Sequence, residues 1–524
     1  MKPVPAVKLR SSSVYCIVVI SLLMAGCSDS EQDATEVMDA GEQAIVEQVQ
    51  EPAEEAAENS PPPIGNFPQL RQAALAAMNA EGINRLQILG AGWEACLGQP
   101  WNIAEGWARW EVQQYSRVIN YITGLSYQTA QRRAGLDPEK LGGCGAQPDA
   151  AFQNQASSIS ADSSWEEKLQ LWLTPLGFLQ LAAENDPVVS QGTDKLWLSF
   201  GVEQYYFRGR YSEDLLLQEI STWIDDPVMG DMEFSVAFDN YQDFSGLLYP
   251  ARVIQQQGGY TTLDLAIDQV IPNTTASAVP PPSEGGRFGG GPGSNGSQSP
   301  FVSIGPGIYV SHGAYQGVIV EKESYLVVID GMQNDNRTRE IIAQAKAISP
   351  GKPIAYVITT HLHFDHLSGL RQFAEADATI VTSAMNEAFL RDALSRSRTL
   401  NDSETDNGFP NVSIAAVDEK MTLYESDINE ADRIEVYWLK GSLHADDMLV
   451  VYLPTIKTIV EADLLQPWIN PVFGGGREGP HPYLTYLYQA LEETGLEYEQ
   501  FVPVHRPSPA PLMSKEDLLQ AVNQ

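Results

Sequence analysis

Residues 361–366, with the sequence HLHFDH, place three imidazoles and one carboxylate within six positions. Imidazole nitrogens and carboxylate oxygens are ligands that suit borderline divalent metals such as zinc. Residues 354–360 are apolar and β-branched, which predicts a buried strand that delivers the histidines at its carboxyl end. Because residues two apart in an extended segment point the same way, His361 and His363 are expected to face one ion.

The second half of the motif has a different periodicity. Leu367, Leu370 and Phe373 follow at helical spacing, so Asp365 and His366 are expected at the start of a helix. Side chains at a helix start face away from those of the preceding strand. The motif therefore predicts a second ion beside the first, with a structural histidine cluster or a single structural ion as the alternative.

Three further candidate ligands, His444, Asp463 and His505, each follow an apolar, strand-like run. Strand ends are favourable positions for ligands, because loops converge there while the sheet holds them rigidly. His312 and His481 do not fit this pattern, and we expect His481 to be a surface-loop residue rather than part of a substrate opening.

The order of these groups resembles the metallo-β-lactamase-fold hydrolase superfamily over about residues 300–524: HxHxDH, a histidine in GSxH, an aspartate after an apolar strand, and a histidine after VPV. The resemblance implies an α/β fold, the αββα sandwich, with two zinc ions. It implies a first ion held by His361, His363 and His444, a second held by Asp365, His366 and His505, and a bridging Asp463. Asp330 resembles the strand-end aspartate that braces the metal loop. Asp446 and Asp447 are interpreted either as acceptors for ligand imidazoles or as caps of the adjoining turn.

Two residues and the net charge narrow the range of activities expected within this superfamily. Zinc β-lactamases of this fold have Cys or Ser where Asp463 stands, and the di-iron flavoproteins have a carboxylate where His363 stands. Zinc is therefore favoured over iron. The chain has 68 Asp plus Glu against 32 Lys plus Arg, so a nucleic-acid partner is excluded on electrostatic grounds.

These features predict a hydrolase. Paired divalent ions lower the pKa of water to about 7 and supply a nucleophile for a carbonyl or phosphorus centre. Asp365 is the expected catalytic residue, orienting that nucleophile as well as binding metal. We expect a small ester, thioester, lactone or amide as substrate. A divergent metallo-β-lactamase and a non-catalytic, metal-containing binding lipoprotein are the alternatives.

The N-terminus predicts the location of the protein. Residues 1–26 combine basic positions with an apolar run shorter than the roughly 20 residues of a membrane span, as in a secretory signal. Small residues before Cys27 resemble a bacterial lipoprotein processing site, so we expect lipidation of Cys27. An ordinary signal cleaved near Gly26 is the alternative. Ser28 resembles the sorting pattern for the outer membrane, with the protein facing the periplasm.

Composition then divides the mature chain. Residues 27–63 are acidic, without Lys, Arg or aromatic residues after the cysteine, and are predicted to form a disordered tether. Residues 64–275 are predicted to be an α+β domain with a curled antiparallel sheet, including a meander over 232–271, and its role is not evident from the sequence. A Pro/Gly/Ser-rich linker, 276–299, precedes the hydrolase domain at 300–524.

Two cysteines remain in the predicted N-terminal domain, Cys96 and Cys144. In an oxidising compartment two such cysteines are expected to pair, and two separate buried thiols are the alternative. Neither lies beside a histidine-rich motif, so a nucleophilic cysteine is not expected.

Overall fold

The computed structural model describes residues 64–134, 151–192, 195–281, 300–313, 315–423, 432–465, 481–505 and 512–523. All of these except Ile64 belong to one compact unit that includes Gly65–Gln524. The predicted signal segment, Cys27 and the tether lie outside the described residues, as do Cys144 and most of the predicted linker. In the described part of the chain, no helix combines the length and apolar character that crossing a membrane requires.

An antiparallel sheet of eleven strands forms the N-terminal part. Its strands are β1 (Arg85–Ala95), β2 (Arg109–Asn120), β3 (Leu125–Ala134), β4 (Gln153–Ile159), β5 (Val188–Gln191), β6 (Leu196–Val202), β7 (Tyr205–Tyr211), β8 (Leu217–Asp226), β9 (Gly230–Phe244), β10 (Leu247–Gln257) and β11 (Tyr260–Pro272). The order across the sheet is β4-β3-β2-β1-β11-β10-β9-β8-β7-β6-β5. The consecutive pairing of β9, β10 and β11 confirms the predicted meander.

Three helices accompany this sheet: α1 (Phe67–Ala77), α2 (Trp165–Trp172) and α3 (Pro175–Ala182). The start of α3 follows the sequence signal, because Pro175 occupies its first turn and the Thr174 side chain accepts a hydrogen bond from the Gly177 amide.

Contacts of α2 and α3 show that the sheet is curled. On α2, Gln170 accepts a hydrogen bond from Arg117 of β2 at 3.2 Å. On α3, the ring of Phe178 lies 5.2 Å from that of Phe200 in β6. Strands β2 and β6 are seven steps apart in the sheet order, which is roughly 34 Å in a flat sheet, whereas a helix is about 10 Å wide. Two short adjacent helices contact both strands because the sheet wraps around them.

The C-terminal part contains two sheets. The first has the strands β12 (Phe301–Gly305), β13 (Ile308–Ser311), β14 (Val318–Glu321), β15 (Leu326–Ile329), β16 (Ile354–Ile358), β17 (Thr379–Ser383) and β18 (Ile414–Val417), in that order. The second has β19 (Lys420–Leu423), β20 (Ile434–Trp438), β21 (Leu449–Leu453), β22 (Thr458–Glu461), β23 (Gln500–Pro503) and β24 (Met513–Ser514), also in sequence order. The pairs from β15 to β18 and the pair β22–β23 are parallel.

Helices cover the outer face of each sheet. They are α4 (Asp335–Ile348), α5 (Phe364–Leu367), α6 (Leu370–Glu375), α7 (Glu387–Ser395), α8 (Pro482–Thr494) and α9 (Lys515–Val522). One apolar core, with Val327 and Val451 among its members, lies between the sheets. A second core packs α8 and α9, through Leu487 and Leu518, against the other face of the second sheet. The layers are therefore helix, sheet, sheet, helix, which confirms the αββα sandwich that the family resemblance implied.

The N-terminal and C-terminal parts contact each other through an ionic cluster. The guanidinium of Arg398, which is 3% exposed, binds both oxygens of Asp225 at 2.6 and 2.9 Å and both oxygens of Asp335 at 3.1 and 3.0 Å. Asp225 belongs to β8 and Asp335 to α4. Beside this cluster, Asp231 accepts hydrogen bonds from the backbone and hydroxyl of Thr399. One arginine thus holds together elements that are more than one hundred residues apart.

Arg398→Ala is expected to lower the free energy of unfolding by about 3 kcal/mol, because it leaves two partly buried carboxylates facing each other without a cation. Thermal and denaturant unfolding of the purified protein measure the change. Arg391→Ala is the matched control, since Arg391 pairs with Glu387 on an exposed helix surface and its loss should cost less than about 1 kcal/mol. Equal effects of the two substitutions would contradict the role assigned to the cluster.

Candidate metal centre

The predicted metal-binding residues lie at the carboxyl ends of strands that converge on one region. His361 and His363 follow β16, and Asp365 and His366 lie in α5 directly after them. His444 lies between β20 and β21, Asp463 lies just beyond β22, and His505 lies just beyond β23. The structure brings all seven together as two neighbouring groups, each of which could hold a metal ion.

The first group consists of three buried imidazoles. The Nε2 atom of His361 lies 2.9 Å from Nδ1 of His363 and 3.2 Å from Nε2 of His444, and these last two atoms are 3.0 Å apart. Nitrogens bound to one tetrahedral zinc ion at about 2.0–2.1 Å lie roughly 3.3 Å apart. The spacing of this group therefore fits a single ion.

The second group combines two imidazoles with a carboxylate. The Nε2 atoms of His366 and His505 are 3.0 Å apart, and Oδ2 of Asp365 lies 3.5 and 3.3 Å from them, respectively. Asp365 is the most accessible of the three, with 26% of its side chain exposed.

Asp463 lies between the two groups. Its Oδ2 is 3.2 Å from Nε2 of His361 and 2.9 Å from that of His444, both in the first group. It also contacts the second group, with Oδ2 3.2 Å from His366 and Oδ1 3.0 Å from His505. Asp463 has a φ of 66°, a left-handed conformation that aspartate tolerates better than most residues. One carboxylate thus contacts four histidines, two from each group.

The outer nitrogens of four imidazoles have their own partners. Nδ1 of His361 contacts the Thr360 hydroxyl at 3.1 Å, and Nδ1 of His444 contacts the Tyr483 hydroxyl at 3.4 Å.

Nδ1 of His366 contacts Oδ1 of Asp330 at 2.8 Å, and Nε2 of His363 contacts the Pro100 carbonyl oxygen at 3.1 Å. The structure therefore supports the bracing role expected of Asp330. Outer partners of this kind orient metal-binding histidines and direct the opposite nitrogen toward the ion. The donor set and its surroundings fit zinc.

Burial and charge set the pKa values of the site. Burial, followed by the neighbouring His366, lowers the pKa of His361 to about 4, and burial also holds the pKa of His363 well below its ordinary value. Burial opposes a charge on His505 as well, but Asp463 and Asp365 outweigh it and raise its pKa to about 9. Burial thus favours neutral imidazoles at His361 and His363, whereas the carboxylates of Asp463 and Asp365 favour a protonated imidazole at His505.

Two residues at the site carried no signal in the sequence. The hydroxyl of Tyr315 donates to Oδ2 of Asp365 at 3.0 Å, and its ring lies 4.2 Å from that of His505. Nε2 of Gln99, in the loop between β1 and β2, donates to Oδ1 of Asp365 at 2.9 Å. Neither residue belongs to a motif, and Gln99 is 266 positions away from its partner.

The expectation of a surface-loop His481 is wrong. His481 is buried, caps the first turn of α8 by accepting a hydrogen bond from the Tyr483 amide at 3.3 Å, and packs its ring against Tyr483. A proline at position 482 starts the helix, and this places the histidine at the cap and turns it inward.

The two aspartates after His444 brace loops. Asp447 accepts hydrogen bonds from the Asn386 side chain and the Leu362 amide, and burial raises its pKa to about 6. Asp446 accepts a hydrogen bond from Asn102 at 2.9 Å. Cys96 is disulfide-bonded, and its predicted partner Cys144 lies outside the described residues.

Comparison with known proteins places this site in a family. Three solved metallo-beta-lactamases are similar to this chain at 18–20% identity, and each match covers 43% of this chain. They come from Hirschia baltica (19% identity, 96% of that chain, TM-score 0.31), Pseudomonas aeruginosa (FIM-1 in its mono-zinc form; 18%, 96%, 0.31) and Pontibacter korlensis (20%, 98%, 0.32). No curated protein matches the chain. The family model described as the metallo-beta-lactamase superfamily matches residues 314–505, which contain all seven residues of the centre. Residues 314–505 are thus a metallo-beta-lactamase superfamily domain, preceded in this chain by an antiparallel-sheet domain.

Proposed function

We propose that the protein is an envelope-anchored, binuclear zinc hydrolase that acts on a small ester, thioester, lactone or amide. The observation that carries the proposal is the pair of ligand groups joined by the Asp463 carboxylate. Purely structural zinc sites need one set of four ligands. Two adjoining sets with a shared carboxylate are typical of centres that perform hydrolysis.

In this proposal His361, His363 and His444 hold one ion, and Asp365, His366 and His505 hold the other, with Asp463 shared. Ions bound there would supply an activated water nucleophile near neutral pH and an electrophile for the substrate oxygen. Zinc is favoured because five of the seven donors are imidazoles.

Asp365 is proposed to orient the attacking water. Its two oxygens have different neighbours, since Oδ1 accepts from Gln99 and Oδ2 accepts from Tyr315. Nearby histidines hold the pKa of this carboxyl below its ordinary value, although burial opposes them, so it remains an acceptor at neutral pH. An acceptor fixed by two donors can align a water molecule without itself reorienting.

Accessibility supports approach of a substrate from the side of the second group. The side chains of His361 and His366 are fully buried, whereas those of Asp365 and His505 are 26% and 10% exposed. This opening also argues against a non-catalytic centre that the N-terminal domain covers completely. A β-lactam substrate is less favoured, because an aspartate, Asp463, stands where zinc β-lactamases have Cys or Ser.

Anchoring through Cys27 is supported by the sequence of the first 28 residues. A short apolar signal and small residues before the cysteine are its grounds. The proposed arrangement is a lipid anchor in the outer membrane, with the acidic segment 28–63 as a tether and the hydrolase domain facing the periplasm.

The proposal predicts two zinc ions per chain. His361→Ala and His505→Ala each remove a donor from a different group, so each should lower the zinc content from two toward one and turnover by more than about 100-fold. Asp463→Ala should deplete both ions, because it removes the shared carboxylate. Elemental analysis of the purified protein measures the content, and His312→Ala, outside both groups, is the control. Full activity with at most one ion per chain would contradict the binuclear proposal.

Hydrolysis should depend on the metal and on Asp365. The zinc-loaded protein is assayed against esters, thioesters, lactones, β-lactams, amides and phosphodiesters, before and after removal of metal with a chelator. Turnover of at least one small carbonyl substrate should disappear on chelation, return with zinc, and fall strongly in Asp365→Ala. Turnover restricted to β-lactams would instead favour the lactamase alternative, and no turnover of any class would favour a binding protein.

Cys27 should incorporate fatty acid. In bacteria expressing the wild-type chain, labelled palmitate should appear in the protein and the protein should sediment with membranes, whereas Cys27→Ser should abolish the label. Cys16→Ser, which changes a cysteine inside the predicted signal, should keep it. A wild-type protein without label would refute the anchor and leave the hydrolase proposal unaffected.

A further inference from the structure

The connection between β1 and β2 leaves the N-terminal sheet and reaches the metal centre. We call residues 96–107 the docking loop. Its base is closed by the hydrogen bond from the Cys96 amide to the Ala108 carbonyl at 2.9 Å, and Cys96 is also disulfide-bonded. Farther along, the Asn102 side chain caps a short turn by accepting from the Ala104 amide. The loop is therefore held in shape at both its base and its far side.

The docking loop contacts two of the three segments that carry the histidines of the centre. The Gly98 carbonyl accepts from the Phe364 amide at 2.9 Å, between His363 and Asp365. The Trp101 indole donates to the Ser442 carbonyl at 2.9 Å, beside His444.

The loop packs closely against Phe364. Gly98 has a φ of +75°, and a Cβ atom there would lie 2.5 Å from Cγ of Phe364. The ring of Trp107 also meets that of Phe364, at 5.5 Å. The backbone of the loop is thus pressed directly onto the HLHFDH motif.

Gln99 and Tyr315 donate hydrogen bonds to different oxygens of Asp365. Its amide donates to Oδ1, while Oδ2 receives the Tyr315 hydroxyl and faces His366 and His505. The terminal torsion of an aspartate is broad, so a carboxylate held at one oxygen alone can still rotate. A second donor on the opposite oxygen fixes the plane, and with it the oxygen presented to the second group.

The Pro100 carbonyl determines the tautomer of His363. A carbonyl oxygen can only accept, so the imidazole nitrogen at 3.1 Å from it, Nε2, carries the hydrogen. In a neutral ring the other nitrogen, Nδ1, is then unprotonated. That is the nitrogen that converges with His361 and His444 in the first group.

We propose that the docking loop is a positioning element of the metal centre, in which Gln99 orients Asp365 and the Pro100 carbonyl orients His363. The inference rests on the proposed metal centre. It gives the N-terminal sheet domain a function, because the metal affinity of the adjoining domain would depend on the docking loop. Gln99 and Pro100 act through the ligands and do not touch the ions.

Zinc affinity of the full-length protein, measured by competition with a chromogenic chelator, tests the inference. Gln99→Ala should lower the affinity for one of the two ions by about tenfold or more, the range found when outer partners of metal ligands are removed. Gln99→Glu keeps the size of the side chain but replaces the donor with a carboxylate facing Asp365, so it should lower the affinity for that ion at least as much. Gln72→Ala, an exposed glutamine on α1, is the matched control and should bind as the wild type does.

Gly98→Ala examines the whole loop, because the added methyl group must displace the loop from Phe364. The variant should bind both ions less tightly. It should also change the absorption spectrum of the cobalt(II)-substituted protein, which reports ligand geometry independently of turnover. Circular dichroism and thermal unfolding establish that the variant is folded. If it is not folded, the two Gln99 variants still decide the question.

The outcomes separate this inference from the proposed function. A wild-type protein that binds no zinc would overturn both. A wild-type protein that binds two ions, together with Gln99→Ala and Gln99→Glu variants of unchanged affinity, would overturn the positioning role alone. If Gln99→Glu bound zinc as tightly as the wild type while Gln99→Ala did not, Gln99 would be a packing residue and the proposed donor role would be wrong.

Discussion

Four histidine nitrogens lie 2.9–3.2 Å from the single carboxylate of Asp463, in a buried space at the carboxyl ends of two sheets. A buried carboxylate needs compensating charge or hydrogen bonds. Cations at the two groups would satisfy both the convergent nitrogens and the carboxylate. The remaining features of the centre can be understood as ways of holding these atoms in place.

The scaffold for this arrangement is the pair of sheets and the apolar core between them. Parallel neighbours carry most of these residues. In the first sheet β16 is followed by residues 361–366 and β15 by the bracing Asp330, and in the second sheet β22 and β23 are followed by Asp463 and His505. Where two of these strands end, Asp330 and Asp463 adopt positive φ values, which turn the chain sharply. Such conformations cost of order 1–3 kcal/mol and persist where the surrounding structure enforces them.

The N-terminal sheet domain is part of the same assembly. It meets the C-terminal part at the Arg398 cluster and again through the docking loop, which contacts the histidine-bearing segments themselves. The two contacts differ in kind, because the first is a buried ionic cluster and the second is a set of hydrogen bonds to the backbone and side chains around the centre. Together the two contacts hold the N-terminal sheet domain against the segments around the centre.

The sequence indicated the candidate ligands: alternation aims His361 and His363 together, and apolar runs place His444 and His505 at strand ends. Their division between two ions came from the resemblance of the motif order to the metallo-β-lactamase superfamily. The predicted meander follows from the same short-range patterns, whereas the αββα sandwich was implied by the family resemblance. Tertiary structure alone decided the partners of those ligands. Gln99 contacts Asp365, which lies 266 positions later in the chain. His481 is buried as the N-terminal cap of α8, and this depends on how that helix packs. Contacts between distant segments depend on the packing of whole elements, which leaves no periodic signal in the chain.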